Sequence, residues 1–214
     1  MNTFVIVEDT LYCCGSNDCG QLGLGDQENR QTFKQVPGGN FLMVSCSAFH
    51  SVAIDTELCL WTCGDNIYGQ LGLGHQENQT TFTRIDEPKF ISVSCGEDHT
   101  AAIDEDGYLW VCGDNTEGNL GLGHTKSTLK LTKIKNHQFV SVSCGYRHTV
   151  ALDKDGCLWS CGSNDRGQSG HGCFGEERTV LTKFSEGPFT STSCGSIYTM
   201  AIDAKGCLWA CGSG

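Results

Sequence analysis

The chain has 214 residues, enough to bury a sizeable core, and it contains 28 glycines but only three prolines, which suits many tight turns rather than disorder. The formal net charge of −11 argues against nucleic-acid binding, because proteins that bind DNA or RNA normally present a basic surface to the phosphates. No apolar run is long enough to span a membrane, and Glu8 and Asp9 interrupt the segment where a signal peptide would lie. We therefore expect an intracellular protein, in the cytoplasm rather than the nucleus.

Cysteine positions show that the sequence repeats. One series, spaced by 49 residues and at its last step by 50, consists of Cys14, Cys63, Cys112, Cys161 and Cys211. A second series follows the same pattern and consists of Cys46, Cys95, Cys144 and Cys194. A period of this length indicates one supersecondary unit copied around or along an axis. We divide the single domain into repeats at about residues 1–14 (partial), 15–63, 64–112, 113–161 and 162–211.

Each complete repeat has the pattern of four short strands. The chain opens on two predicted strands, at residues 4–7 and 11–14, which match the second and third strands of a repeat. A complete repeat has predicted strands at residues 90–95, 100–103, 108–112 and 129–134. β-Branched, small and aromatic residues dominate these segments, and no window of helical length has a clean period of 3.6. The chain ends just after another third strand, at residues 208–211.

Glycines mark the connections between these strands. Residues 104–107 read Asp-Glu-Asp-Gly, a hairpin signal in which glycine supplies a positive φ. The longer loops between third and fourth strands carry Gly-Gln-Leu-Gly-Leu-Gly at residues 20–25 and 69–74. A phosphate-binding loop would require a following helix, and residues 26–29 are polar, with two carboxylates, and have no helical pattern. We expect these loops to fold against their own four-stranded unit.

Four-stranded units with this period are typical of β-propeller blades. The sequence therefore predicts an all-β fold, a β-propeller of about five blades with an incomplete first and last blade. Both ends supply second and third strands, so one end does not complete the other. The ring is either an open arc or closed in an unusual way, and an open arc predicts self-association through its unpaired strand edges.

Three linked motifs resemble the repeat of the regulator of chromosome condensation family. They are Gly69-Gln70-Leu71-Gly72-Leu73-Gly74, Ser94-Cys95-Gly96-x-x-His99-Thr100, and Asp106-Gly107-x-Leu109-Trp110-x-Cys112-Gly113. The resemblance covers essentially the whole chain. It implies blades of a closed seven-bladed propeller, although this chain has too few repeats for seven. It also implies an interaction platform, a guanine-nucleotide exchange factor for a small G protein, or a module of a ubiquitin ligase.

Most cysteines and histidines that could bind a metal or act in catalysis are explained by their packing role in the repeats. Cys95 and His99, with the equivalent pairs in the neighbouring repeats, offer two metal ligands each rather than four. The same pairs lack an orienting third group for a nucleophile. We therefore predict no catalytic residue, no metal and no cofactor. We expect the histidines to bond to backbone groups, the cysteines to be buried free thiols, and Tyr12 and the four tryptophans to be largely buried between blades.

A basic cluster in one repeat has two interpretations. It consists of Lys126, Lys130, Lys133 and Lys135. Lysines of this kind suit a solvated outer strand edge, because they prevent edge-to-edge pairing. A contact patch is the alternative.

Positions that differ from copy to copy are free of the folding role of the repeat. In a meander, the turns joining first to second strands lie on the same face as the long loops, and we call this face the turn face. The hairpins such as residues 104–107 lie on the opposite face, the hairpin face. Exposed aromatic residues and arginine often anchor interfaces. The predicted binding residues of the turn face are Phe49, Tyr68, Glu97, Asp98, Glu117, Tyr146, Arg147, Arg166 and Ile197.

The predicted function is a non-enzymatic protein-interaction module that binds a partner through the turn face. The partner would be a protein, with a small G protein or a ubiquitin-pathway component as candidates, and not nucleic acid or a membrane. The alternative is guanine-nucleotide exchange. In the family this activity depends on a wedge-like insertion, for which the 49-residue spacing leaves little room. Only the loop at residues 169–175 is irregular, and it gains a single residue.

Overall fold

The computed structural model describes residues 1–175 and 177–213, in which every regular element is a β-strand. Blade 1 has three antiparallel strands: β1 (Asn2–Val7), β2 (Thr10–Gly15) and β3 (Arg30–Gln35). Blade 2 is complete, with β4 (Phe41–Cys46), β5 (His50–Asp55), β6 (Leu60–Gly64) and β7 (Gln79–Ile85). The predicted four-stranded meander is therefore confirmed in the first complete repeat.

Blades 3 and 4 share one long strand. Blade 3 contains β8 (Phe90–Cys95), β9 (His99–Asp104), β10 (Tyr108–Gly113) and the first part of β11 (Thr128–Cys144). The second part of β11 is the inner strand of blade 4, followed by β12 (His148–Asp153), β13 (Leu158–Gly162) and β14 (Arg178–Ser185). The other blade-to-blade links contain proline or glycine, whereas residues 135–138 contain neither and continue as strand. Blade 5 has β15 (Phe189–Cys194), β16 (Tyr198–Asp203) and β17 (Leu208–Gly212).

An aspartate organises each hairpin between second and third strands. The Asp104 carboxylate accepts a hydrogen bond from the Tyr108 N–H at 2.8 Å, and Gly107 takes a φ of 86°. The turn after Asp55 has no glycine, yet Leu58 adopts a φ of 62° in the equivalent place. The Asp55 carboxylate accepts the N–H groups of Glu57 and Cys59 at 2.9 and 2.8 Å. The aspartate therefore specifies this turn even where the sequence lacks the glycine signal.

The hydrophobic core is divided among the interfaces between neighbouring blades. The interface of blades 3 and 4, for example, buries Ile103, Leu109, Leu120, Phe139 and Leu181. The tryptophans pack at the rim of these clusters, so the prediction that all four would be largely buried was wrong. Their indole N–H groups explain the position, because each donates to the hairpin aspartate six residues earlier, as Trp110 does to Asp104 at 2.8 Å. Trp61, Trp110, Trp159 and Tyr12 are half-buried, and Trp209 is exposed.

The glycine-rich loops contact their own blade, where the Cys13 thiol donates to the Leu22 carbonyl at 3.5 Å, and they also pack on the following blade. Leu73, in the loop between β6 and β7 of blade 2, forms a β-bridge with Lys130 of blade 3. Gly69 lies against the backbone of Leu129, and a side chain there would collide with it. The glycines of these loops therefore permit the close approach of two blades.

Buried side chains also join successive blades. The His99 ring contacts the Thr149 hydroxyl of blade 4 through Nε2 at 2.9 Å, and Thr149 Oγ1 donates to the Asn119 carbonyl at 2.7 Å. His50 and His148 make equivalent contacts with Thr100 and Thr199. The expected backbone partners of these rings are thus replaced mainly by hydroxyls of the next blade. Because the threonine hydroxyl donates its proton to a carbonyl, its oxygen can only accept a hydrogen bond from the ring. The histidine must therefore carry a proton on Nε2.

The second cysteine series links the inner strands. The Cys144 N–H donates to Ser94 Oγ at 2.9 Å, and the Cys144 thiol donates to the Ser94 carbonyl at 3.6 Å. Cys95 and Cys194 make the same pair of contacts with the inner strands that precede them. The fifteen cysteines, all within the described residues, form no disulfide with one another. These thiols pack as small side chains and also donate hydrogen bonds between blades.

Blades 1 to 5 form an open arc. No hydrogen bond or ring contact joins blade 1 to blade 5 among the residues that the structure describes. Apolar side chains are exposed at both ends, including Val7 at 53% and Leu208 at 65%. No helix of the described chain is long and apolar enough to cross a bilayer.

Candidate functional site on the turn face

The turns joining first to second strands surround a concavity on the turn face. Residues 47–48, 95–97, 144–146 and 194–196 line a space of about 270 Å³. Gly96 and Gly145 allow this arrangement, because a side chain at either place would collide with the ring of His99 or His148. In blades 3 and 4 the recurring glycine therefore makes room for the histidine ring, and the two residues before the histidine project outward.

Five of the predicted binding residues form one cluster across blades 3 and 4. Arg147 Nη1 lies 3.2 Å from Glu117 Oε1, and the guanidinium lies 5.4 Å from the centre of the Tyr146 ring. A hydrogen bond and the charge of Glu97 raise the pKa of the Tyr146 phenol. The backbone continues the chain of contacts, since Glu97 N–H donates to the Tyr146 carbonyl at 3.2 Å. These contacts hold an aromatic ring and an arginine in place on the surface.

Asp98, the fifth member, lies in a concentration of negative charge. Burial raises its pKa to about 6, and the carboxylates of Glu97, Asp65 and Asp114 add to the increase, partly offset by Arg147. Asp65 and Asp114 are themselves buried at the start of the long loops. Such a group of like charges opposes folding, and perturbed carboxylates of this kind concentrate at functional sites.

The other predicted residues lie on the same face outside this cluster. Phe49, Tyr68, Arg166 and Ile197 are all exposed. No hydrogen bond, ion pair or ring contact joins their side chains to the cluster in the described part of the chain. They extend the exposed surface rather than build the charged centre.

Several acidic residues of the face were missed by the sequence reasoning. Asp65 and Asp114 each follow the glycine that ends a third strand, where blades 1, 4 and 5 have serine. Glu177 approaches Glu117, and a hydrogen bond to that carboxyl group raises the pKa of Glu177. Aspartate in place of serine in two of the five copies was the available signal. The Glu117–Glu177 contact brings together the long loops of two blades. No feature of the sequence indicated this contact.

The buried thiols and imidazoles are unsuited to nucleophilic chemistry. Burial raises the pKa of Cys144 to about 12, and it lowers the pKa of His148 to about 4. The thiol is therefore protonated and the imidazole neutral at neutral pH, in contacts that join blades. A reactive cysteine needs the opposite shift and access to solvent.

One group of side chains on the hairpin face has the geometry of a metal site, in the described residues. It consists of Asp55, Glu57 and Cys59. Arg84 Nε lies 3.3 Å from Asp55 Oδ2 and Arg84 also pairs with Glu57, while Lys89 Nζ lies 2.8 Å from Cys59 Sγ. The cations of the protein itself thus neutralise the group, which is an ion-pair cluster of blade 2.

The predicted lysine cluster is divided by the structure. Lys126, Lys130 and Lys135 are exposed, whereas Lys133 is half-buried with Nζ 3.0 Å from Asp104 Oδ2. Lys133 therefore has a structural role in blade 3.

The geometry defines a β-propeller arc built from repeated four-stranded blades with an acidic, aromatic turn face. A family model for the RCC1-like domain matches residues 10–214. The chain therefore belongs to the RCC1-like family, as the three sequence motifs predicted.

Solved structures have the same fold at low sequence identity. Human WBSCR16 is 23% identical with a TM-score of 0.89, and the match covers 100% of this chain and 60% of that protein. Prp20p from Saccharomyces cerevisiae is 20% identical with a TM-score of 0.85, over 99% of this chain and 56% of that protein. Yeast RCC1 (Prp20) in a complex with Kap60 is 21% identical with a TM-score of 0.82, over 95% and 52%. The chain thus spans little more than half the length of these neighbours. A comparison with curated proteins gave no match.

Proposed function

We propose that the protein is a non-enzymatic interaction module that binds a protein partner through the turn face. The cluster of Glu97, Asp98, Glu117, Tyr146 and Arg147 is the observation that supports this function. It combines an aromatic ring and an arginine, the residue types that anchor interfaces, with carboxylates whose mutual repulsion costs stability.

The charge of the cluster favours a partner with a basic surface. Besides burial, the charges of Glu97, Asp65 and Asp114 raise the pKa of Asp98, and Arg147 is the cation that opposes them. A basic side chain of the partner would relieve this repulsion and gain an ion pair that is partly shielded from water. Prp20p, a neighbour in fold, is described with its binding properties to Gsp1p and histones. A protein partner is consistent with that description.

Capture from cell extract with quantitative mass spectrometry tests the proposal. The bait is the wild-type chain, compared with a variant carrying Phe49→Ala, Tyr146→Ala and Arg147→Ala. The matched control carries three changes on the hairpin face, Glu105→Ala, Asp106→Ala and Lys154→Ala. We expect partners that the control retains and the turn-face variant loses, with little change in stability for either bait. Identical partners for all three baits would refute the proposal.

A stability gain accompanied by a binding loss is a second expectation. Asp98→Asn removes a charge that its neighbours repel, so we expect the free energy of unfolding at pH 7 to increase. The same change should weaken binding of the captured partner, as is common where function opposes stability. Denaturant unfolding and a binding titration measure the two effects. A loss of stability would contradict the account of the charge cluster.

Guanine-nucleotide exchange is the second candidate, favoured by one loop of the turn face. Residues 169–175 depart from the repeat, and Phe174 within this loop is 76% exposed. An exposed aromatic residue on an irregular loop is suited to contact a partner. Release of a labelled nucleotide from a panel of small G proteins tests this candidate. Accelerated release that Phe174→Ala abolishes would support it, and unchanged release would leave only the interaction module.

A further inference from the structure

The link between blades 3 and 4 differs in charge from the neighbouring links. Residues 135–138 read Lys-Asn-His-Gln, whereas the equivalent residues 86–89 read Asp-Glu-Pro-Lys and residues 185–188 read Ser-Glu-Gly-Pro. The three runs are equivalent because the phenylalanine after each run pairs with a hairpin aspartate, as Phe139 does with Asp153. A lysine and an amide therefore stand at this link where the preceding link has two carboxylates.

The two hairpins beside this link also depart from their copies. Tyr108 begins the third strand of blade 3, at a place where three other hairpins have cysteine, namely Cys59, Cys157 and Cys207. Lys154 follows the hairpin aspartate of blade 4, at a place where three other hairpins have Thr56, Glu105 and Ala204. The other blades fold without a tyrosine or a lysine at these places. Both positions are therefore free of the folding role of the repeat.

The substituted side chains meet in one pocket on the hairpin face. It has a volume of about 280 Å³, and its walls are Tyr108, residues 135–138 and Lys154. No aspartate or glutamate is among these walls. At the equivalent positions between blades 2 and 3 the sequence has one lysine and three carboxylates, those of Asp86, Glu87 and Glu105. The sign of the local charge is therefore reversed at this pocket, in a chain whose net charge is −11.

Two side chains of the link are held in place by their contacts. His137 Nε2 lies 3.0 Å from Asp153 Oδ2, and the His137 ring centre lies 4.3 Å from that of Trp159. Gln138 Nε2 donates to the Asp106 carbonyl at 2.7 Å. This part of the pocket is therefore ordered before a ligand binds, which lowers the entropic cost of binding.

The other polar side chains of the pocket are available to a ligand. Lys135 and Lys154 are exposed, and neither ammonium group makes a hydrogen bond or an ion pair within the described ranges 1–175 and 177–213. The exposed Asn136 amide makes none within these ranges either. By contrast, Lys133 of the same strand has its Nζ 3.0 Å from Asp104 Oδ2. Two ammonium groups and one amide can thus donate to a bound molecule.

These donors match a doubly charged anion with several oxygens. An ammonium group offers three donors and no acceptor, and a primary amide offers two donors. A phosphate monoester has three terminal oxygens and about −1.5 to −2 charges at pH 7, close to the charge of two lysines. The volume of the pocket is at the low end of the range of about 300–1,000 Å³ for small-molecule sites. It suits a phosphate group with a short attached chain rather than a nucleotide.

The surroundings of the pocket disfavour a long polyanion. The hairpins that supply Tyr108 and Lys154 also carry exposed carboxylates, on Glu105, Asp106 and Asp155. A nucleic acid with one phosphate in the pocket would bring its neighbouring phosphates towards these acids, whereas nucleic-acid sites normally present a continuous basic surface. A single phosphate group avoids this repulsion.

We propose that the pocket between the hairpins of blades 3 and 4 binds a phosphate monoester group. Lys135 and Lys154 neutralise the phosphate, the Asn136 amide donates to one of its oxygens, and Tyr108 packs against the carbon chain that carries it. The group belongs to a small metabolite or to a phosphorylated serine or threonine side chain, since both present the same oxygens. The pocket lies on the hairpin face and is independent of the function proposed for the turn face.

Chemical-shift titration of the ¹⁵N-labelled chain tests the proposal with two probes. Glycerol 3-phosphate represents a free phosphate ester, and an acetylated glycine–phosphoserine–glycine amide represents a modified side chain. We expect saturable shifts of the backbone amides at residues 108, 135–138 and 154 with at least one probe, and none with glycerol or the unphosphorylated peptide. Binding of both probes would show that the phosphate group alone is recognised, and binding of one would identify its source.

Two results of this titration would overturn the proposal. One is the absence of saturable shifts at these residues with both phosphate probes. The other is binding of sulfate, or of a single-stranded DNA oligonucleotide, at the same residues with equal or higher affinity. That result would show a site that attracts anions without selecting a phosphate monoester.

Substitution of the two free lysines should remove the site. Lys135→Gln and Lys154→Gln should each weaken binding of the phosphate probe about tenfold, because each removes one of the two cations. The matched control carries Lys126→Gln and Lys130→Gln, which removes the same charge from exposed lysines outside the pocket. Equal weakening in the double variant and in this control would mean general attraction by the chain and would also refute the proposal.

The two faces can be tested separately. The turn-face variant Phe49→Ala, Tyr146→Ala, Arg147→Ala should bind the phosphate probe as the wild type does. The variant Lys135→Gln, Lys154→Gln should capture the turn-face partner as the wild type does. Failure of phosphate binding therefore leaves the function proposed for the turn face untouched.

Discussion

A glutamine in three of the four long loops shows how one methylene group affects the fit between blades. Gln21, Gln70 and Gln168 each use Oε1 to accept the N–H of the residue two positions earlier, at 2.8 to 3.0 Å. The third copy has Asn119, whose side-chain carbonyl is buried without a partner. Its shorter side chain donates to the Asp114 carbonyl instead and does not reach the N–H of Glu117.

Asn119→Gln should therefore stabilise the protein. We expect the free energy of unfolding to increase by about 1 kcal/mol, because a buried acceptor gains its hydrogen bond. Gln70→Asn is the reciprocal control and should lose a similar amount. Denaturant titration of both variants measures the change. A loss of stability in Asn119→Gln would show that the loop of blade 3 has no room for the glutamine that blade 2 carries at this position.

Because three histidines are buried, we expect the protein to lose stability in mild acid. Burial lowers the pKa of His50 and His148 to about 4 and that of His99 to about 3. The unfolded chain binds these protons near pH 6.5, so stability is fully present above that pH and declines as pH falls towards 4. Asp98, with a pKa of about 6, acts in the opposite direction because the folded state binds its proton first.

Near pH 5, unfolding takes up about two protons net. The free energy of unfolding should therefore fall by about 3 kcal/mol for each pH unit of acidification. Denaturant unfolding at a series of pH values between 7 and 4.5 measures this slope. Asp98→Asn removes the opposing proton and should make the slope steeper. Stability that stays constant from pH 7 to pH 5 would contradict the burial of the neutral imidazoles between blades.

At the scale of the element, the sequence predicted strands well and their lateral packing less well. Runs of β-branched, small and aromatic residues, Asp-x-x-Gly hairpins and the period of 49 residues located the first three strands of blade 3 and the start of the fourth, but not the continuation of β11 to Cys144. The same pattern could not show that the glycine-rich loops pack on the next blade, because that contact joins residues about 60 positions apart, such as Leu73 and Lys130. It also placed the tryptophans too deep, since the hydrogen bond to the hairpin aspartate keeps the indole at the rim.

Tryptophans in different blades should therefore differ in their contribution to stability. Trp110→Ala removes a half-buried ring that packs edge-on to Phe90, with centroids 6.4 Å apart, and a hydrogen bond to Asp104. We expect a loss of about 3 kcal/mol. Trp209→Ala in the incomplete blade 5 should cost about 1 kcal/mol or less, because the ring is largely in solvent. Equal losses in denaturant unfolding would mean that the edge of β17 is covered in solution.

At the scale of the whole molecule, the repeats predicted the architecture and the variable positions predicted part of the site. The copy-to-copy comparison found Tyr146 and Arg147 because folding does not constrain them. It could not find the charge cluster, because Asp65, Asp98 and Asp114 meet only when successive blades are stacked. The turn face is where we propose that a protein partner binds.

Hydrogen–deuterium exchange of the wild-type chain, alone and with a partner captured from extract, tests that claim most directly. We expect the partner to slow exchange in the turns at residues 47–49, 96–98, 145–147 and 195–197. Exchange in the hairpins at residues 56–58, 105–107, 154–156 and 204–206 should not change. Protection confined to the hairpins, with the turns exchanging as in the free protein, would contradict the account.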